Sequence, residues 1–151
     1  MTLRYPYKQF PLPYPVVSLG GRRGRARPII GVSVIGPSDS RLLEGLLDSG
    51  ADDTVFPESL AVDIGVDLTN APARQFSTAD RTAHPVRYAQ VILRIFDGIE
   101  RREWPAWVGF TPARLKQPLL GIAGFLQFFD TNLRGAQEVA ELTVNSSYPG
   151  T

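Results

Sequence analysis

Residues 46–56 contain the side chains of this sequence that are best suited to chemistry. An apolar pair leads into Asp48, a turn with Ser49 and Gly50 follows, and the whole segment is Leu46-Leu47-Asp48-Ser49-Gly50-Ala51-Asp52-Asp53-Thr54-Val55-Phe56. A carboxyl group at the end of an apolar strand borders low-dielectric surroundings, which can tune it for acid–base chemistry. Ser49 can hydrogen-bond neighbouring backbone, and Gly50 lets another backbone segment approach closely. The tripeptide alone favours an ordinary turn at a strand end.

The residue counts exclude several other chemistries. The chain has no Cys and a single His, which excludes disulfides, thiolate nucleophiles, cysteine zinc sites and sites with several histidine ligands. Lys and Arg number 16 against 15 Asp and Glu, for a net charge of +1. So balanced a charge argues against recognition of nucleic acid or membranes by the whole domain. We therefore expect no nucleic-acid partner and no membrane partner.

The elements that must position Asp48 are predicted to be short strands. The chain has 14 Gly and 13 Pro, which lie mostly between short apolar runs, as is typical of a β-rich domain with tight turns. Residues 42–47 predict the strand before Asp48, and residues 74–96 predict a long hairpin with a small, polar tip at 77–82. Residues 57–65 predict one or two helical turns, since Pro suits the first turn and Gly the end. Residues 122–129 predict a second short helix.

At 151 residues with 43% hydrophobic side chains, the chain is predicted to form one domain. We expect a Pro-rich and Arg-rich arm or edge strand at 1–27, the main domain at 28–144 and a frayed tail at 145–151. The arginines at 22, 23, 25 and 27 predict a solvated hairpin loop, with a nucleic-acid patch as the less favoured alternative. Because no apolar run reaches the roughly 20 residues that span a bilayer, we expect a soluble, cytoplasmic protein.

With its flanks, the segment around Asp48 resembles the active-site signature of the retropepsin-like aspartic proteases, which include the retroviral proteases. That signature is two apolar residues, Asp, Thr or Ser, Gly, Ala, and often Asp-Asp-Thr before an apolar pair. Leu119-Leu120-Gly121 is similar to the second family hallmark, two apolar residues followed by Gly. The resemblance covers roughly residues 28–133. It implies a mainly β, single-lobe fold that forms a closed barrel with one or two short helices and assembles as a homodimer.

The resemblance also implies an aspartic endopeptidase that acts on a peptide or protein substrate and needs no metal and no organic cofactor. Asp48 would be the catalytic carboxylate, Ser49 would hydrogen-bond across the two-fold axis, and Gly50 would lie against the substrate. The implied substrate-binding residues are Ala51, Asp52 and Asp53 in the cleft and Thr78, Ala79 and Asp80 at the tip of a flap that closes over the substrate.

The chemistry of this family needs two carboxylates that share a proton, and one chain supplies only one such Asp. An isologous interface would place Asp48 against its symmetry mate, so the mechanism implies a homodimer. Ile122-Ala123 stand where retroviral members have Arg followed by Asn or Asp, so Asp52 is either paired by another cation or solvated. The flap segment also lacks the glycines of the retroviral flap. The alternative function is a catalytically silent dimeric domain that binds a peptide or protein in the cleft.

Overall fold

The computed structural model describes residues 1–77 and 79–151, with the exception of the Phe76 side chain. These residues form mainly strands, one short α-helix, α1 (Glu58–Ile64), and two 3-10 turns at Val17–Leu19 and Leu126–Phe128. The strands are β1 (Thr2–Pro6), β2 (Lys8–Val16), β3 (Arg22–Arg27), β4 (Ile29–Ile35), β5 (Ser40–Leu47), β6 (Val55–Pro57), β7 (Ala73–Ser77), β8 (Ala83–Phe96), β9 (Arg101–Thr111), β10 (Leu119–Leu120), β11 (Phe129–Arg134) and β12 (Val139–Val144). The mainly β prediction is confirmed.

The strands form one large and two small sheets. The large sheet has the order β4-β5-β10-β6-β9-β8-β7, and β4 also pairs with β8. The small sheets are β1-β12-β11 and the hairpin β2-β3. Closure of the large sheet into a barrel stays a prediction. The predicted long hairpin is present as β7 and β8, which pair from Ala73 opposite Arg87 to Ser77 opposite Ala83.

The core is apolar and lies between the large sheet, α1 and the sheet of β1, β12 and β11. Strand β8 alternates as its sequence predicts, with Val91, Leu93 and Ile95 buried. Trp104 is buried and packs edge-on against Phe125 at 5.3 Å between ring centroids. Each large apolar side chain buried in this way contributes about 1.5–3 kcal/mol to folding.

The helix predicted at residues 57–65 is confirmed as α1. Pro57 precedes its first turn, and the N–H of Gly65 donates to the carbonyls of Ala61 and Val62 at its end. Leu60 is buried against the core. The second predicted helix, at 122–129, is only the 3-10 turn at Leu126–Phe128. Within the described part of the chain, none of the helical segments has the length and hydropathy needed to cross a membrane.

The N-terminal segment takes part in the sheets. Strand β1 pairs antiparallel with β12, and the N–H of Arg4 donates to Asp97 Oδ2 at 2.9 Å. Partial burial tends to raise the pKa of Asp97, but the N–H groups of Glu100, Arg4 and Ile99 outweigh it and hold this pKa below its ordinary value. Asp97 therefore ties β1 to the turn between β8 and β9.

The last residues are not frayed, contrary to the sequence expectation. Tyr148 packs against Trp104 with ring centroids 5.8 Å apart. Thr151 and Glu103 exchange two backbone hydrogen bonds, of 2.9 and 3.1 Å. The tail is held because it supplies an aromatic ring to the core and lengthens the ladder beside β9. The domain limits at 28 and 144 stay a prediction.

Candidate active site

Two neighbouring strands place Asp48. It follows β5, which lies between β4 and β10 in the large sheet. Strand β10 runs parallel to β5, with Leu119 opposite Leu46 and Leu120 opposite Leu47. The N–H of Asp48 donates to the carbonyl of Leu120 at 3.1 Å. The two sequence hallmarks, about 70 residues apart, therefore lie side by side.

The turn after Asp48 fixes its carboxylate. The N–H of Gly50 donates to Asp48 Oδ1 at 2.9 Å, and the N–H of Ala51 donates to the Asp48 carbonyl at 3.2 Å. Asp48 is half-buried, whereas Ser49 and Gly50 are exposed. A carboxylate whose orientation is set by backbone in this way can exchange a proton with a molecule at the exposed side of the turn.

A second layer of backbone contacts supports this turn from the Leu-Leu-Gly side. The N–H of Ile122 donates to the carbonyl of Ala51 at 2.9 Å, and the N–H of Ala123 donates to that of Asp52 at 2.8 Å. The hydroxyl of buried Thr54 donates a hydrogen bond to the carbonyl of Ala123 at 2.8 Å. A Cβ on Gly121 would lie only 2.2 Å from the carbonyl oxygen of Asp53. Only glycine permits this approach.

A cavity of about 190 Å³ lies beside the turn, between residues 50–55 and the β7–β8 hairpin. Its apolar lining comes from Val55 and Val86, both buried. Tyr88 donates its hydroxyl to Asp53 Oδ2 at 2.6 Å. Burial and this hydrogen bond raise the pKa of Tyr88 to about 12, and nearby Arg74 acts in the opposite direction. The cavity is therefore lined by both apolar side chains and charged groups.

The structure brings most of the predicted site residues together. Gly50, Ala51, Asp52 and Asp53 line the cavity, directly after Asp48 and Ser49. Ala79 and Asp80 occupy an exposed turn and are absent from this lining. Thr78 lies outside the described residues. From the hairpin, the cavity is lined instead by Arg74, Gln75, Ser77, Val86 and Tyr88.

Tyr88 and Arg74 were not predicted as site residues. The alternation of β8 places Tyr88 on the same strand face as Val86, which is the only signal that the sequence offers for it. Its partner Asp53 is 35 positions away, and no local pattern joins them. Asp52 was expected either to pair with a cation or to be solvated, and the solvated alternative fits. Its side chain is exposed and takes part in none of the ion pairs found between described residues. The described residues also contain no cluster of acids and His that could hold a metal ion.

A mainly β chain with an Asp-Ser-Gly turn beside a Leu-Leu-Gly strand has the organisation of the retropepsin-like aspartic proteases. The family model described as aspartyl protease matches residues 33–123, and the chain belongs to that family. The crystal structure of a retropepsin-like aspartic protease from Rickettsia conorii is similar, with a TM-score of 0.56 at 17% sequence identity. The match covers 94% of this chain and 92% of that one. No curated protein matches the chain.

Proposed function

We propose that the protein is an aspartic endopeptidase that hydrolyses peptide bonds with a water molecule activated by two Asp48 carboxyl groups, one from each chain of a homodimer. The observation that carries this proposal is the carboxylate of Asp48, fixed through Oδ1 by the N–H of Gly50 at an exposed turn beside a cavity. Membership of the aspartyl protease family supports the same chemistry.

The proposed reaction divides the work between the two carboxyl groups. The ionised Asp48 takes a proton from the water as its oxygen attacks the peptide carbonyl, and the protonated Asp48 donates a hydrogen bond to the developing oxyanion. The proton taken from the water then passes to the amide nitrogen, so that the carbon–nitrogen bond breaks and the amine leaves. The other carboxyl group keeps its proton, and the dyad returns to its starting state with one shared proton. The chain has no second Asp-Ser-Gly sequence: Asp63 lies in α1 and is followed by Ile64 and Gly65. With a two-fold axis beside the Asp-Ser-Gly turn, Asp48 of a second chain supplies the second carboxyl group, and Ser49 is available to hydrogen-bond across that axis.

Substrate binding is proposed along residues 50–53 and under the β7–β8 hairpin. An extended peptide that passes Asp48 would meet Ala51, Asp52 and Asp53 through its main chain. One of its side chains would enter the cavity of about 190 Å³ against Val55 and Val86. The hairpin would act as a flap whose tip includes Thr78, Ala79 and Asp80, closing over the bound segment.

The test is cleavage of a mixed peptide library from acidic to neutral pH by the natural protein and by Asp48→Asn. The variant is nearly isosteric but cannot exchange the proton, so we expect the rate of cleavage to fall by about 10²-fold to 10⁴-fold. The control is Asp130→Asn, which removes an exposed acid on β11 and is expected to leave cleavage intact. Cleavage retained by Asp48→Asn contradicts the proposal. Peptide binding without cleavage by either protein supports the silent binding domain instead.

A further inference from the structure

The hairpin of β2 and β3 presents a face with aromatic and cationic side chains. Lys8 lies opposite Arg27, and Phe10 lies opposite Arg25, so these four side chains share one face of the hairpin. With the segment before β10, this face borders a cavity of about 270 Å³. We call it the cationic groove; it is lined by Phe10, Leu12, Tyr14, Arg25, Arg27 and Lys116.

The groove concentrates positive charge in a protein whose overall charge is nearly balanced. Arg25, Arg27 and Lys116 line it together with no acidic residue. None of these three side chains takes part in an ion pair with another described residue. By contrast, Arg22 pairs with Glu138 and Lys8 with Glu44. The groove therefore has unneutralised cations that complement an acidic partner.

The chain segments that carry the groove residues are joined by hydrogen bonds to β5, the strand that ends at the candidate catalytic turn. Arg27 is followed by Pro28, whose carbonyl accepts the N–H of Leu47 at 3.0 Å. Lys116 lies two positions before Pro118, whose carbonyl accepts the N–H of Leu46 at 2.9 Å. The residues that follow Arg27 and Lys116 in the chain are thus hydrogen-bonded to the two residues that precede Asp48, which places the groove beside the strand that carries Asp48.

The composition of the hairpin favours recognition by side chains. Prolines at positions 11, 13 and 15 remove three N–H groups from β2, which makes this strand a poor template for a further strand. The ring of Phe10 already has Lys8 at 5.7 Å and Arg27 at 6.0 Å from its centroid. Because these cations cover the ring, it is poorly placed to stack on a nucleobase. An acidic peptide fits these features better than a nucleic acid.

We propose that the cationic groove binds an acidic segment of the protein substrate, away from the bond that is cut. Glu and Asp side chains of that segment pair with Arg25, Arg27 and Lys116, while its apolar side chains contact Leu12 and Tyr14. This proposal rests on the proposed function for its role in cleavage, but the binding itself can be tested without cleavage.

The test measures binding of three fluorescein-labelled probes to the full-length Asp48→Asn protein by anisotropy: a peptide of alternating Glu and Ala, a matching peptide of Lys and Ala, and an oligothymidine. We expect the Glu peptide to bind most tightly, with an affinity that falls as salt is added. Combining Arg25→Glu with Lys116→Glu should weaken that binding by about tenfold or more. Arg101→Glu, which reverses an exposed charge on β9 outside the groove, should leave it unchanged.

Three results overturn the proposal: no binding of the Glu peptide, an equal loss with Arg101→Glu, or tighter binding of the oligothymidine that the paired groove substitutions abolish. Circular dichroism of each variant shows whether the fold is retained. In the active protein, the groove substitutions are expected to raise KM for substrates with distal acids while kcat is unchanged. If no peptide is cleaved at all, the proposed function fails, and the anisotropy measurements still decide whether the groove binds acidic peptides.

Discussion

At the scale of residues, the site depends on side chains whose neighbours hold them in place. The Gly50 N–H fixes Asp48 Oδ1, and the Tyr88 hydroxyl fixes Asp53 Oδ2. A hydrogen bond to an ionised acceptor is stronger than one between neutral groups. Tyr88 therefore connects the β7–β8 hairpin to the segment that follows Asp48. A substitution at Tyr88 or at Asp53 should alter the contribution of the other residue to stability.

We expect Tyr88→Phe and Asp53→Asn to have effects on the free energy of unfolding that are not additive. Each substitution alone weakens the same hydrogen bond, so the coupling energy from a double-mutant cycle should be about 1 kcal/mol. The four proteins would be compared by urea unfolding. Strictly additive losses would show that the hydrogen bond contributes nothing in solution.

At the scale of elements, the Leu-Leu-Gly strand and the Asp-Ser-Gly turn are held together by a close backbone approach. Leu119 and Leu120 of β10 pair with β5, and Gly121 then passes against the carbonyls of Asp53 and Ala51. A side chain at this position meets backbone atoms, which cannot move without shifting the Asp-Ser-Gly turn. The glycine of the second hallmark is therefore explained by packing.

Gly121→Ala is expected to destabilise the protein by about 1–3 kcal/mol, the usual cost of overpacking, and to lower cleavage because Asp48 is displaced. Thermal unfolding and the library assay would measure both effects. Gly135→Ala is the matched control, since a Cβ there meets nothing within 4 Å, and its effect should stay within about 0.5 kcal/mol. Equal stability of the two variants would contradict the close approach.

Short elements were predictable where neighbouring residues determine them. Helix α1 was predictable from Pro57 and Gly65 at its ends, and β8 from its alternation. The second helix was overpredicted because Gly124, at φ +88°, interrupts the segment. Its carbonyl also accepts the indole N–H of Trp104 at 3.0 Å. That contact comes from a distant strand, which the apolar pattern of residues 122–129 does not reveal.

At the scale of the whole molecule, the proposed chemistry requires two chains. Each chain supplies one Asp48, and a stable specific interface typically buries about 800 Å² on each partner. The sheet of β1, β12 and β11 joins the first strand of the chain to the last two. The proposed dimer follows from the need of this chemistry for a second carboxyl group, whatever surface forms its interface.

We expect the specific activity, per chain, to rise with protein concentration until dimers predominate. Sedimentation equilibrium over the same concentrations should show a monomer–dimer transition with the same midpoint. Mixing the natural protein with excess Asp48→Asn should inhibit cleavage, because mixed dimers lack one carboxyl group. Constant specific activity from a strictly monomeric protein would contradict the shared site.

The sequence by itself determined the Asp-Ser-Gly turn, its Leu-Leu-Gly counterpart, α1 and the mainly β class, since each depends on residues adjacent in the chain. Only the tertiary structure decided that Tyr88 holds Asp53, that Tyr148 packs the tail onto Trp104, and that Lys116 lines the same cavity as the β2–β3 hairpin. These contacts join residues far apart in the chain, and their free energy comes from packing and hydrogen bonds that exist only once the sheets have assembled.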